Sequence, residues 1–139
     1  MFKSILLAVD GSEPALRAAK TAGELARQLG SDVRVVYCYE PIPTYLGEPN
    51  LQEALNARLV HASKIINPAL SAVGHIPGAL IEEKLEGPPA ETILNVIEIR
   101  DVDLVVMGTR GLSQLAGLLL GSQSQKVAMH AKCPVMLVH

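Results

Sequence analysis

The sequence has no tryptophan, one phenylalanine and three tyrosines, so aromatics make up 3% of 139 residues. Hydrophobic residues still reach 49%, and any core must therefore be packed from Leu, Ile, Val and Ala. Cysteine is scarce: Cys38 and Cys133 stand far apart, with no CxxC pair and no zinc-ligand spacing. That excludes a disulfide-stapled scaffold. There is no Lys/Arg-rich run, and the formal net charge is −2. A nucleic-acid partner is excluded on that ground, because binding the phosphate backbone needs a basic footprint. No segment approaches the roughly 18 unbroken apolar residues of a membrane span. The first apolar run stops at Asp10, too early and too abruptly for a signal peptide. These absences lead us to expect one soluble, cytoplasmic domain over residues 1–139.

What is present is an alternation of apolar runs and helical patterns. Ser4 to Val9 (SILLAV) is continuous and apolar, as in a strand buried on both faces. Ser12 is placed to cap a helix, Pro14 fits a first turn, and Ala15, Ala18, Ala22, Leu25 and Leu29 recur at helical spacing before Gly30. Asp32 to Cys38 reads as a second strand. Glu40 to Asn50 holds three prolines and one glycine and reads as a loop long enough to border a site. Leu51 to Gly74 is a long helical pattern with Pro68 inside it, where a kink or break is expected because proline removes an internal hydrogen bond. Ala79 to Leu85 mixes apolar and charged residues, like a half-exposed edge strand. Ala90 to Arg100 is helical, Asp103 to Met107 a buried strand, Ser122 to Ala131 a short helix, and Val135 to His139 a last strand. The order implies an α/β fold, a doubly wound parallel sheet with helices on both faces and right-handed crossovers.

The chemistry concentrates in Gly108-Thr109-Arg110-Gly111, nine residues (LSQLAGLLL), then Gly121-Ser122. Gly108 follows a buried strand, at the carboxyl edge where open parallel sheets bind ligands. Glycines at 108, 111 and 121 remove side chains where a phosphate has to approach main-chain N–H groups. Ser122 begins a helix, whose free first-turn amides and positive dipole end form an anion site. Arg110 can add a charge-assisted contact. The helix terminus alone is worth about 0.3–2 kcal/mol, whereas micromolar binding needs about 8 kcal/mol. A pocket for a nucleotide base must supply the difference. If the chain winds outward from the first strand and then returns to its other side, the ends of strands one and four become neighbours. Asp10 then faces the glycine loop and can accept hydrogen bonds from an adenosine.

These segments resemble the universal stress protein family over nearly the whole chain: ILLAVDGSE (Ile5 to Glu13), DLVVMGTRG (Asp103 to Gly111), LLGSQSQKV (Leu119 to Val127) and HAKCPVMLV (His130 to Val138). The glycine–two–glycine–nine–glycine–Ser pattern is that of the family's ATP-binding branch. The resemblance implies a five-stranded parallel sheet in the order 3-2-1-4-5, of the adenine nucleotide α-hydrolase-like kind. It implies that Val9, Asp10 and the backbone at Cys38 hold the adenosine end. Met107, Gly108, Arg110 and Gly111 would flank ribose and phosphates. Gly121, Ser122, Gln123 and Ser124 would face the phosphate chain of ATP, ADP or AMP, with Mg²⁺ or Mn²⁺ bound through the phosphates. Relatives often carry Val at position 123; here Gln123 and Gln125 are uncharged and do not repel phosphate. Cys38 also replaces a more usual aliphatic residue, which a backbone contact survives. The resemblance further implies a homodimer paired through the terminal strand Val135 to Val138, which would otherwise be an exposed edge.

The remaining residues carry less. His61, His75, His130 and His139 lack metal-ligand spacing, and His61 reads as a surface residue on a helix. Glu82, Glu83 and Glu86 read as a solvated face. GxSxG, Walker A and a GxGxxG after the first strand are absent. No general base is evident near a γ-phosphate, so at most slow ATP hydrolysis is expected. The leading expectation is a regulatory ATP-binding module of the stress response. The alternatives are a nucleotide-independent dimeric adaptor and an enzyme such as a nucleotidyl transferase, whose usual phosphate loop or HxGH pair is missing here.

Overall fold

The computed structural model describes residues 1–109 and 120–139. Five parallel strands form one sheet in the order β3-β2-β1-β4-β5, as expected. They are β1 (Ser4–Ala8), β2 (Asp32–Tyr39), β3 (Leu80–Glu86), β4 (Leu104–Gly108) and β5 (Val135–Val138). Among the described residues four α-helices cross between them: α1 (Glu13–Leu29), α2 (Asn50–Val73), α3 (Pro89–Ile99) and α4 (Ser122–His130). β1 is the central strand and β4 its inner neighbour, and their apolar residues, from Ile5 to Ala8 and from Leu104 to Met107, are all buried. That is why both read as unbroken apolar runs.

The aliphatic core is split by the sheet. Ile5, Leu7, Val33, Val35, Leu104 and Val106 face the alanine stripe of α1 and Ile66, Ala69 and Val73 of α2. Leu6, Ala8, Val36, Val105 and Met107 face α3 and Val127 of α4. Small residues let α1 come close: a Cβ on Gly23 would lie 2.2 Å from the carbonyl oxygen of Val73. The caps of α1 are those the sequence predicts. The Ser12 hydroxyl accepts from the Ala15 N–H at 3.3 Å, and Gly30 closes the helix at φ 71°.

One half of an expectation is overturned: Pro68 does not break its helix. α2 runs as a single helix from Asn50 to Val73, through Pro68. Pro68 is exposed, while Ala62, Ile66, Ala69 and Val73 are buried on the inner face. The lost hydrogen bond therefore falls on the side where water can reach the orphaned carbonyl, and packing of the inner face holds both halves in one element. β3 is the half-exposed edge strand predicted, and β5 forms the other edge. No helix among the described residues is long and apolar enough to cross a membrane.

Candidate functional site

Strands β1 and β4 end side by side. β1 and β4 are in register through Ala8 and Met107, so Val9 and Asp10 leave the sheet beside Gly108 and Thr109. The reversal of strand order between β1 and β4 opens a crevice at this carboxyl edge. A cavity of about 760 Å³ lies there, within the range of small-molecule sites.

Its walls bring together distant parts of the chain. Val9 and Asp10 come from the end of β1, Cys38 from β2, Met107 and Gly108 from β4, and Gly121, Ser122, Gln123 and Ser124 from the start of α4. These are all the sequence-predicted site residues that fall among the described ones. Arg110 and Gly111 lie outside the described residues, as does most of the nine-residue stretch before Gly121.

The strand ladder explains why Cys38 faces the cavity through its backbone. The last bond between β1 and β2 runs from the Val9 N–H to the Val36 carbonyl, 3.0 Å. Main-chain groups along a parallel strand alternate between its two neighbours. Those of Tyr39 face β3, since the Tyr39 carbonyl accepts from the Gly87 N–H. Those of Cys38 therefore point to the β1 side, beyond the point where β1 has ended at Ala8. The Cys38 thiol is chemically quiet. Burial pushes its pKa up from 9.0 to about 11, against a smaller opposite effect of a hydrogen bond with Thr92. At neutral pH it is a protonated apolar group.

At Asp10 one carboxylate oxygen accepts from the Ser12 N–H at 2.9 Å, which fixes the turn into α1. Gly11 makes this turn at φ +88°, where side chains are disfavoured. On the opposite wall, α4 opens with Gly121 as its N-cap and no side-chain cap. The amides of Ser122, Gln123 and Ser124 are in the first turn, where an α-helix supplies no internal acceptor.

Three details differ in their physical reason from the expectation. The Gly121 N–H donates to the Thr109 carbonyl at 2.7 Å, so it is not a free donor. The buried Ser124 hydroxyl donates to the Gly108 carbonyl at 2.8 Å, locking α4 onto the end of β4. Gly108 is small for the sake of packing: a Cβ there would sit 2.8 Å from the Pro14 Cβ and 2.9 Å from the Ala15 nitrogen. Gln123 has a role the sequence did not reveal. Its side-chain carbonyl accepts from the Ala90 N–H at 3.0 Å and so caps α3, whose own N-cap, Pro88, has no side chain able to do it.

Other residues of the lining escaped the sequence reading, chiefly Tyr37, Arg58 and His61. His61, read as a surface residue, is exposed and also borders the cavity, its ring edge-on to Tyr37 with centroids 6.3 Å apart. The Tyr37 phenol has its pKa raised, first by burial and then by Asp10 and neighbouring acids, with Arg58 opposing. Among the described residues no group of three or more His, Cys, Asp or Glu side chains could hold a metal ion.

The sequence model of the universal stress protein family matches residues 1–139, the full sequence. The chain belongs to the universal stress protein family. A universal stress protein of Thermus aquaticus is 51% identical over 140 residues, with 99% of each chain covered. Among solved structures, the universal stress protein UspA from Lactobacillus plantarum superposes with a TM-score of 0.85 at 26% identity, covering 99% of this chain and 98% of its own. A universal stress protein in complex with cAMP superposes with a TM-score of 0.72 at 26% identity, covering 99% and 96%.

Proposed function

We propose that this universal stress protein binds an adenine nucleotide in the cavity at the β1–β4 crevice and acts as a dimeric regulatory module of the stress response. One observation carries the reading: residues picked from four separate segments for nucleotide chemistry line one cavity of about 760 Å³. The similar fold in complex with cAMP supports the choice of ligand. The phosphates would sit on the first-turn amides of α4, with Arg110 and Gly111 of the glycine-patterned loop completing the cradle. The adenosine would lie toward Asp10 and the open main-chain groups of Cys38.

ATP, ADP and AMP share these contacts. An Mg²⁺ or Mn²⁺ ion would be held through phosphate oxygens. Rapid hydrolysis is not part of the proposal. Isothermal titration with ATP, ADP, AMP and cAMP, each with and without Mg²⁺, tests it. Saturable binding with a Kd in the micromolar range is expected; no heat up to millimolar nucleotide ends the reading.

The homodimer would form through β5. This strand is a sheet edge, only four residues long, with Met136 exposed and Val135, Leu137 and Val138 half-buried. Pairing with its twofold copy would cover that edge. Sedimentation should show a dimer at micromolar concentration.

A nucleotide-independent dimeric adaptor is the second reading. The observation in its favour is that the Gly121 amide and the Ser124 hydroxyl are already spent on internal partners. Gly121→Leu separates the two readings: an adaptor keeps its cellular phenotype, a nucleotide switch loses it.

A further inference from the structure

The next inference rests on the nucleotide reading and adds a residue to it. Five arginines fall among the described residues. Four of them have an oxygen partner: Arg17 the His139 carbonyl, Arg27 the Val73 carbonyl, Arg34 the Glu83 carboxylate, and Arg100 the same carboxylate at ion-pair distance. Arg58 is the exception. Its Nε is buried with no hydrogen-bond partner, and no ion pair links it to any described carboxylate. The residue as a whole is half-buried, and leaving its buried Nε without an acceptor is unfavourable. Its planar fork is suited to phosphate or carboxylate oxygens.

Arg58 borders the nucleotide cavity from α2. That helix packs on α1, β2 and β3, whereas α4 packs on α3 and β5. The two reach the cavity from different walls, so phosphates seated on α4 leave Arg58 unanswered. With the 5′ phosphate on α4 and the base toward Asp10 and Cys38, the further positions of an adenine nucleotide that can carry a phosphate are the ribose 2′ and 3′ oxygens. Tyr37 is influenced at once by Arg58, by Glu40 and by Asp10, the residue expected to hold the adenosine. Among the described lining residues the carboxylates are Asp10 and Glu40, and the guanidinium is Arg58. His61 stands one helical turn beyond Arg58 on the same face of α2.

We propose that Arg58 is a second anion reader, which binds a phosphate esterified to the 2′ or 3′ oxygen of the ribose, with the His61 ring as a further donor. The ligand class is an adenine nucleotide whose phosphate charge reaches both sides of the ribose.

The test is calorimetric titration of the full chain with AMP, adenosine 2′,5′-bisphosphate and adenosine 3′,5′-bisphosphate, at one fixed ionic strength. Wild type, Arg58→Gln and Arg58→Lys are compared, with circular dichroism to establish that each is folded. One bisphosphate should bind wild type at least about tenfold more tightly than AMP, and Arg58→Gln should reduce that ratio to about one while AMP affinity stays within about twofold. Arg58→Lys, which keeps the charge without the fork, should fall between. The tighter bisphosphate identifies the position of the second phosphate. Equal affinity of wild type for all three, or a preference that survives in Arg58→Gln, overturns the proposal and leaves the nucleotide site standing. If wild type binds none of the three, the nucleotide reading fails and this proposal with it.

Discussion

The side-chain carbonyl of Gln123 accepts a hydrogen bond from the Ala90 N–H at 3.0 Å, and so ties the first turn of α4 to the first turn of α3 across the mouth of the cavity. Both helices point their positive ends into the same space, and Gly87, Pro88 and Pro89 before α3 share the lining with Gly121 to Ser124. The bond supplies α3 with the cap that Pro88 cannot give.

Replacing Gln123 with Ala removes that cap and leaves the α4 amides in place. The expected loss is about 0.5–2 kcal/mol of stability, the usual range for losing a cap. Urea unfolding should show it as a lower midpoint with an unchanged slope. Gln123→Val should lose a similar amount. An unchanged midpoint in both variants would show that the Gln123–Ala90 bond contributes nothing to stability.

Gly108→Ala tests whether this glycine is required by packing. An added Cβ meets Pro14 and the Ala15 backbone at under 3 Å, and backbone cannot move aside as a flexible side chain can. A destabilisation of about 1–3 kcal/mol is expected from overpacking. It should appear in nucleotide-free protein. If stability is unchanged and only ligand binding suffers, Gly108 is small for the ligand's sake instead.

Cys38 gives a pH dependence with a definite sign. Its pKa is raised from 9.0 to about 11 by burial, so folding favours the protonated thiol. That contribution is fully present below pH 9 and is lost as pH rises toward 11. Wild type should therefore lose stability relative to Cys38→Ala across that window and not below it. Iodoacetamide at pH 7.5 should modify Cys38 slowly in folded protein and quickly once it is unfolded. Rapid alkylation of the folded chain would contradict the burial argument.

The fold was legible because its strands differ sharply in environment. β1 and β4 are buried on both faces and read as apolar runs, while β3 carries Glu82, Glu83 and Lys84 because it lies at an edge. Whether Pro68 breaks its helix was not legible, because a local rule takes no account of which face a residue occupies, and here the exposed face tolerates it. The site was legible where the chain announces it with glycines and a strand end. Arg58 and His61 were not, because they stand in a regular helix, and only the crossing of α2 past β2 carries them to the cavity. Gln123 was singled out as unusual, but its partner lies 33 residues away and no spacing rule connects the two.

The central claim is that an adenine nucleotide occupies the crevice between the ends of β1 and β4. Titrating ¹⁵N-labelled protein with AMP and following the backbone amides tests it most directly. The account predicts saturable shifts concentrated at Asp10, Cys38 and Ser122 to Ser124, with β3 and the far end of α1 unmoved. Shifts confined to residues away from this crevice, or none up to millimolar nucleotide, would contradict it.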